Sequence, residues 1–157
     1  MINDASSSRK FSENYFSYLK ILIDELSIEN ISKFIELILQ TRENDKSIYF
    51  IGNGGSASTA SHFVNDISLG SRQFEKPFRA ISLCDNQAVI TAIGNDDGYE
   101  NIFLQQLQTQ AKSGDVLVSI SASGNSPNII KAVNWANSNN IQTVGLSAFD
   151  GGKMSKL

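Results

Sequence analysis

Residues 48–66 read I-Y-F-I-G-N-G-G-S-A-S-T-A-S-H-F-V-N-D, and this stretch decides the fold. Four apolar or aromatic residues lead into a glycine cluster, and a helix-compatible run follows. Gly52, Gly54 and Gly55 let the backbone turn with positive φ, or let a ligand approach where a Cβ would collide. The pattern predicts a strand, a tight turn and the start of a helix.

The start of this predicted helix suits an anion. Ser56 is placed to cap it, and the first N–H groups of a helix are unpaired and carry partial positive charge. Such a helix start favours a phosphate above all. Asn53, Gly54, Gly55 and Ser56 are therefore candidate binding residues before any family is considered.

Length and composition indicate one globular domain. The chain has 157 residues, 41% of them hydrophobic, and only 2 prolines. A net charge of −3 gives no electrostatic footprint for duplex nucleic acid or an anionic membrane, so neither partner is expected. The single cysteine, Cys84, the lack of a secretory signal near Met1 and the lack of a long apolar run favour a cytoplasmic protein.

Helices and strands alternate along the rest of the chain. Residues 1–10 are predicted to be flexible, and two helices joined near residues 27–30 precede the first strand. The first helix is broadly apolar and is expected to cover the core, with contact to another subunit as an open alternative. Further strands are predicted at 78–83, 116–120 and 141–146, and further helices at 87–93, 102–111 and 128–138. Gly94 is expected to end a helix, and residues 95–98 read as a loop. This alternation predicts an α/β fold with a mostly parallel sheet covered on both faces.

A second turn of the same chemical kind follows the third strand. Residues 121–126 read S-A-S-G-N-S and open a helix that has Pro127 in its first turn. Serine also occurs in turns for purely local reasons. If the turn binds a ligand, Ser121, Ser123 and Ser126 offer hydroxyls and Gly124 offers backbone access. Two such turns on neighbouring strands would meet at one crevice beyond the carboxyl ends of the strands.

His62 and Asp66 form a second candidate pair. They lie four residues apart on the first helix after the glycine turn, and therefore on one face of it. A histidine and a carboxylate in this arrangement can hold a metal or share proton-transfer work. The alternative is a solvent-exposed or merely hydrogen-bonded pair.

Standard nucleotide fingerprints do not fit the chain. The first turn is G-N-G-G-S rather than G-x-G-x-x-G, and no P-loop motif occurs. Asp85, after the second strand, keeps a ribose-binding alternative open. The serine hydroxyls and the absence of a lysine suit a sugar phosphate better than a triphosphate.

Four separated motifs resemble one family in order. They are I-G-N-G-G-S-A-S-T-A-S-H-F, A-I-G-N-D-D-G-Y, G-D-V-L-V-S-I-S-A-S-G-N-S-P-N-I-I-K-A and F-D-G-G-K-M. They are similar to the sugar isomerase (SIS) domain, and within it to phosphoheptose isomerases. The resemblance covers residues 11–157 and implies a three-layer, flavodoxin-like parallel sheet with N-terminal helices that form the central bundle of a homotetramer.

The resemblance implies the reaction and the residues that carry it. The reaction interconverts sedoheptulose 7-phosphate and a heptose 7-phosphate for lipopolysaccharide or another surface glycan. One zinc ion per subunit is expected at His62 and Asp66, with Asp66 also the catalytic carboxylate. The implied substrate contacts are Asn53, Gly54, Gly55, Ser56, Asn95, Asp96, Ser121, Ala122, Ser123 and Ser126.

The chain departs from the family pattern at several places. Asp66 stands where the family usually has glutamate, and Ala122 where it often has threonine. The family's further strand and long helix, with a glutamine and a histidine that complete the metal site, are expected beyond Leu157. An alternative function is a non-catalytic binding protein of the same fold, either a sugar-phosphate sensor or a factor that associates with the bacterial replication initiator DnaA.

Overall fold

The computed structural model of the protein describes residues 7–157. Of the predicted flexible segment 1–10, residues 1–6 lie outside the described part of the chain, and a helix begins at Ser8. The chain divides into two compact units, Met1–Glu36 and Leu37–Leu157.

The first unit is helical. Helix α1 spans Ser8–Asp24, and Ser7 caps it by accepting a hydrogen bond from the Lys10 N–H at 3.2 Å. Helix α2 spans Ile28–Glu43 and crosses into the second unit; Ser27 accepts a hydrogen bond from the Asn30 N–H at 3.2 Å. Serine at both helix starts is the expected capping chemistry, because its hydroxyl satisfies an otherwise unpaired backbone donor. The predicted link near residues 27–30 thus contains the start of α2.

The second unit is built on a parallel sheet of four strands. The strands are β1 Ser47–Gly52, β2 Arg79–Ser82, β3 Val116–Ser121 and β4 Gln142–Ser147. Their order in the sheet is β2-β1-β3-β4, and each neighbouring pair is parallel. The carboxyl ends of β1 and β3 therefore lie side by side, with Gly52 in register with Ile120.

Helices cover both faces of this sheet. They are α3 Gly55–Asn65, α4 Gln87–Asp96, α5 Leu104–Gln110 and α6 Pro127–Ser138. On one face, buried side chains of β1 and β3 pack with Leu107 of α5 and with Ile129 and Val133 of α6. On the other, Phe50 of β1 stacks on Phe63 of α3 at a ring-centroid distance of 5.5 Å. The predicted α/β fold with a covered parallel sheet is confirmed.

Three local predictions are wrong. Gly94 does not end its helix, because α4 continues to Asp96; Gly94 has no positive φ, and glycine weakens a helix without stopping it. Asn95 and Asp96 are thus helical rather than part of a loop, and the turn comes at Gly98, with φ 91°. Ser56 is not the cap of α3, since the helix begins at Gly55 and Gly54 takes the cap position.

A π-helical turn, Asp66–Gly70, directly follows α3. Such turns often occur at functional sites.

Among residues 7–157, no helix combines the length and the apolar composition needed to span a bilayer.

Candidate active site

The turn between β1 and α3 is tight enough to require glycine. A Cβ on Gly52 would lie 2.5 Å from the carbonyl oxygen of Ser56, and Gly54 has φ 54°. The N–H groups of Ser56 and Ala57 are used within the turn, where they donate to the carbonyls of Asn53 and Gly54 at 3.0 Å each. The N–H groups of Gly54 and Gly55 make none of the hydrogen bonds found among residues 7–157. They are therefore available to an anion at the start of α3.

The turn between β3 and α6 brings two serine hydroxyls together. The Gly124 N–H donates to the carbonyl of Ser121 at 3.0 Å and closes the turn. Ser126 occupies the cap position of α6, yet its hydroxyl makes no capping hydrogen bond. It lies 3.4 Å from the hydroxyl of Ser121 instead. Ser126 therefore turns its hydroxyl toward Ser121 instead of accepting a backbone N–H of its own helix. Ser123 is used locally, because its hydroxyl accepts the Asn125 N–H at 3.2 Å.

This second turn packs, backbone on backbone, against the turn that follows β4. The Met154 N–H donates to the carbonyl of Gly124 at 2.9 Å, and the Lys153 N–H donates to Asn125 Oδ1 at 3.1 Å. A Cβ on Gly124 would lie only 1.9 Å from the Gly151 carbonyl oxygen. The loop after β4 therefore fixes the position of the turn between β3 and α6, residues 121–126, which we call the serine turn.

The structure brings the two turns together through a pair of amides. Asn53 Nδ2 donates to Asn128 Oδ1 at 2.9 Å, and Asn128 Nδ2 donates to Asn53 Oδ1 at 2.9 Å. The Tyr99 hydroxyl also donates to Asn53 Oδ1, at 3.0 Å. A cleft of about 420 Å³ opens beside these contacts, lined by Asn53, Tyr99, Glu100, Ser126, Pro127 and Asn128. Sequence reasoning missed Tyr99 and Asn128, although both lie within the motifs quoted for the family.

His62 and Asp66 face each other on the surface of the domain. The distance between His62 Nε2 and Asp66 Oδ2 is 3.4 Å, and the side chains are 76% and 60% exposed. The other carboxylate oxygen, Oδ1, accepts a hydrogen bond from Asn65 Nδ2 at 3.1 Å. Asp66 is also the first residue of the π-helical turn.

The distance between the His62 and Asp66 side chains is compatible with two of the four ligands of a tetrahedral zinc ion. Two ligand atoms of a tetrahedral zinc ion lie about 3.3 Å apart, given zinc–ligand bonds of about 2.0 Å. The His62 and Asp66 atoms are 3.4 Å apart and are of the nitrogen and oxygen types that zinc accepts. Residues 7–157 contain no group of three or more His, Cys, Asp or Glu side chains that could hold a metal by themselves. Two ligand atoms are too few to hold a metal by themselves, and zinc at His62 and Asp66 stays a prediction.

Asn95 and Asp96 lie at the carboxyl end of α4. Asn95 Nδ2 donates to Asp96 Oδ1 at 2.7 Å, and both residues are exposed. Neither lines the cleft beside Asn53. Their role in substrate binding, which the family resemblance implies, stays a prediction.

Asp85 is tied to α3 rather than left free. The hydroxyl of Ser61 donates to Asp85 Oδ1 and also lies 3.2 Å from the hydroxyl of Ser82. These contacts join the end of β2 to the middle of α3. Part of the acceptor capacity of Asp85, which a ribose would need, is therefore used by the protein itself.

Cys84 contacts the end of β1, next to the turn formed by Gly52, Gly54 and Gly55. Its thiol donates to the carbonyl of Gly52 at 3.4 Å, and burial raises the pKa of Cys84 above its ordinary value of 9.0. Because the folded pKa is the higher one, the stability from this thiol is complete below about pH 9 and is lost as the pH rises through the folded pKa. The contact is thus intact at neutral pH.

Comparison of the sequence with those of known proteins shows the family to which the chain belongs. Residues 11–148 match the SIS domain model. The phosphoheptose isomerase of Helicobacter pylori (strain P12) is 40% identical over 129 residues, which are 82% of this chain and 67% of the relative. That of Nitratidesulfovibrio vulgaris is 35% identical over 160 residues, covering 100% of this chain and 72% of the relative. The chain belongs to the phosphoheptose isomerase family.

Solved structures of this phosphoheptose isomerase family have the same fold. The enzyme of Neisseria gonorrhoeae superposes with a TM-score of 0.86 at 33% identity, over 96% of this chain and 80% of the other. The enzyme of Francisella tularensis gives a TM-score of 0.87 at 29% identity, with the same coverage. The predictions of the family, of its fold class and of an isomerase are confirmed.

Proposed function

We propose that the protein interconverts sedoheptulose 7-phosphate and D-glycero-D-manno-heptose 7-phosphate, for the heptose of lipopolysaccharide or a capsule. The observation that carries this proposal is that two turns rich in N–H and hydroxyl donors meet through the Asn53–Asn128 amide pair, in a chain of this family. One turn offers the N–H groups of Gly54 and Gly55, and the other offers the hydroxyls of Ser121 and Ser126. A cytoplasmic location is part of the proposal, since the single cysteine can form no intramolecular disulfide.

The two turns hold the phosphate end of the substrate. Their donors are neutral, and hydrogen bonds from neutral donors to a charged phosphate contribute about 1.5–3 kcal/mol each. The phosphate does not react, so its binding contributes equally to the ground state and the transition state. Family membership and the position of the turns at the carboxyl ends of β1 and β3 support this role.

Asp66 acts on the reacting end of the sugar. An aldose and a ketose interconvert when a proton leaves one carbon and returns to its neighbour, with an enediol in between. A carboxylate can carry that proton, and Asp66 is exposed and held at Oδ1 by Asn65. Zinc, held by His62, Asp66 and further ligands, would supply a Lewis acid for the carbonyl oxygen. The 3.4 Å distance between Nε2 and Oδ2 supports that assignment.

The experiment that tests this function compares the wild type with Ser126→Ala. We expect the wild type with zinc to convert sedoheptulose 7-phosphate to the aldose. Removal of the Ser126 hydroxyl should raise KM about 10- to 100-fold, because one hydrogen bond to phosphate is lost. The value of kcat should stay nearly unchanged, because the phosphate is bound equally in the ground and transition states.

Ser138→Ala is the matched control, because it removes a hydroxyl from the other end of α6, where it donates to the Asn134 carbonyl. Its KM should equal that of the wild type. Absence of turnover by the wild type would refute the proposed reaction. An unchanged KM in Ser126→Ala would show that this turn does not hold the phosphate.

We propose further that the protein assembles as a homotetramer through α1. This helix has no buried residue among those of its range, and it exposes large apolar side chains. Phe16 is 61% exposed and Ile23 is 56% exposed. They lie seven residues apart and so on one side of the helix. Apolar surface of this kind is usually covered by another protein surface.

Light scattering after size exclusion tests the assembly. The wild type should have the mass of four chains, and Phe16→Glu should lower that mass because it places a charge in the apolar contact. Ser17→Glu adds the same charge about 100° around the helix and should leave the tetramer intact. A monomeric wild type at micromolar concentration would contradict the proposal.

A further inference from the structure

We infer that Tyr99 and Asn128 are positioning residues, which hold the Asn53 carboxamide and thereby set the distance between the two phosphate-binding turns. The inference rests on the proposed function, since it assigns the two turns to one phosphate. It changes the role expected for Asn53, from a side chain that binds substrate to a link between two segments of the protein.

Most hydrogen-bonding positions of the Asn53 side chain are used by partners within the protein. Its Oδ1 accepts from the Tyr99 hydroxyl at 3.0 Å and from Asn128 Nδ2 at 2.9 Å. Its Nδ2 donates to Asn128 Oδ1 at 2.9 Å. An asparagine side chain has two acceptor and two donor positions. Both acceptor positions of Asn53 and one donor are used within the protein, which leaves one N–H for any ligand.

Asn128 anchors the link in the core. It is 2% exposed, and its Oδ1 also accepts the backbone N–H of Ile129 at 3.0 Å. This second bond fixes the amide relative to the first turn of α6, two residues after Ser126. Because a buried amide must keep its partners, Asn128 has little freedom to turn away from Asn53.

Tyr99 holds the same oxygen from the solvent side. It is 56% exposed and follows Gly98, whose φ of 91° directs the chain into the short helical turn Tyr99–Asn101. Its hydroxyl has no other hydrogen-bond partner among residues 7–157. A change that removes only this hydroxyl therefore acts on Asn53 with little effect on the core.

The link has a consequence for ligand binding. Asn53 immediately precedes the unused N–H groups of Gly54 and Gly55. Asn128 follows Ser126 by two residues and lines the same cleft. If the amide pair is fixed, the donors of both turns have one spacing before the ligand arrives. Pre-organised donors bind more tightly because less ordering is left to binding.

A double-mutant cycle tests this role. Tyr99→Phe should raise the KM for sedoheptulose 7-phosphate about 3- to 10-fold, as expected for one lost hydrogen bond. Its kcat and unfolding temperature should stay close to those of the wild type. Asn53→Ala should raise KM further. In the Asn53→Ala background, Tyr99→Phe should have no additional effect, since Tyr99 acts through Asn53.

Tyr49→Phe is the matched control. The Tyr49 hydroxyl donates to the Gln110 carbonyl at 2.9 Å, away from both turns. Its loss should lower the unfolding temperature and leave KM unchanged. Equal effects of Tyr99→Phe in both backgrounds, or no effect on KM in the wild-type background, would overturn the inference.

Calorimetric titration with sedoheptulose 7-phosphate repeats the cycle without turnover. Absence of turnover with an intact coupling in the dissociation constants would refute the proposed reaction alone. Turnover with additive effects would refute the positioning role alone. Absence of both turnover and binding would refute both.

Discussion

Replacement of Asp66 by asparagine is expected to lower kcat for sedoheptulose 7-phosphate by about 10²- to 10⁴-fold, the usual contribution of a general acid–base group. The amide has nearly the same shape as the carboxylate but cannot take up the proton that moves between carbons. The asparagine also replaces one of two oxygens that have partners in the wild type, since Oδ1 accepts from Asn65 and Oδ2 lies 3.4 Å from His62 Nε2. Steady-state kinetics with added zinc measures the change.

Asp66→Glu is the control for this substitution. It keeps the carboxylate, lengthens the side chain by one methylene and introduces the residue that phosphoheptose isomerases usually have. We expect it to retain activity, whereas the unfolding temperature of both variants should match that of the wild type because the side chain is exposed. An asparagine variant as active as the wild type would remove Asp66 from the mechanism.

The second large effect is expected at Gly124. Its φ of 58° already costs a residue with a Cβ about 1–2 kcal/mol. The added Cβ would lie 1.9 Å from the Gly151 carbonyl oxygen and 2.5 Å from the Gly151 carbonyl carbon. Gly124→Ala should therefore destabilise the protein by at least about 3 kcal/mol, as overpacking can. The unfolding temperature should fall by roughly 6–12 °C, by the usual scaling for a chain of this size.

Thermal unfolding of Gly124→Ala beside Gly55→Ala measures this effect. Gly55 has nothing within 4 Å of the position of an added Cβ and no positive φ. Alanine at the start of α3 should be neutral or stabilising, because it is the better helix former. Equal unfolding temperatures for the two variants would mean that the loop after β4 yields to the new methyl group.

Much of the fold follows from local patterns in the sequence. The buried strands β1 and β3 are short apolar runs that end in small residues, and glycine takes positive φ at Gly54 and Gly124 in the turns that follow them. Because parallel strands place their carboxyl ends at one edge, the meeting of the β1 and β3 turns could also be predicted. The His62–Asp66 pair followed from helical spacing alone.

The remaining features depend on contacts that local patterns do not contain. Asn53 is 46 residues from Tyr99 and 75 from Asn128, and no periodicity connects amino acids at such distances. The bond from Ser61 to Asp85 is of the same kind. The end of α4 is not visible in the local pattern, because glycine favours a helix stop, whereas the helix continues past Gly94 to Asp96 and packs Ile93 against the core.

The backbone contact between the serine turn and the loop after β4 limits how this protein can evolve. A side chain on Gly124 would meet Gly151 O, and one on Gly152 would meet Ser123 O at 2.3 Å. In each case the obstacle is a main-chain atom, which every amino acid possesses. No exchange of side chains at the opposing residue can make room, so a substitution at either glycine has no local compensatory mutation. Reversion to glycine is the direct route back.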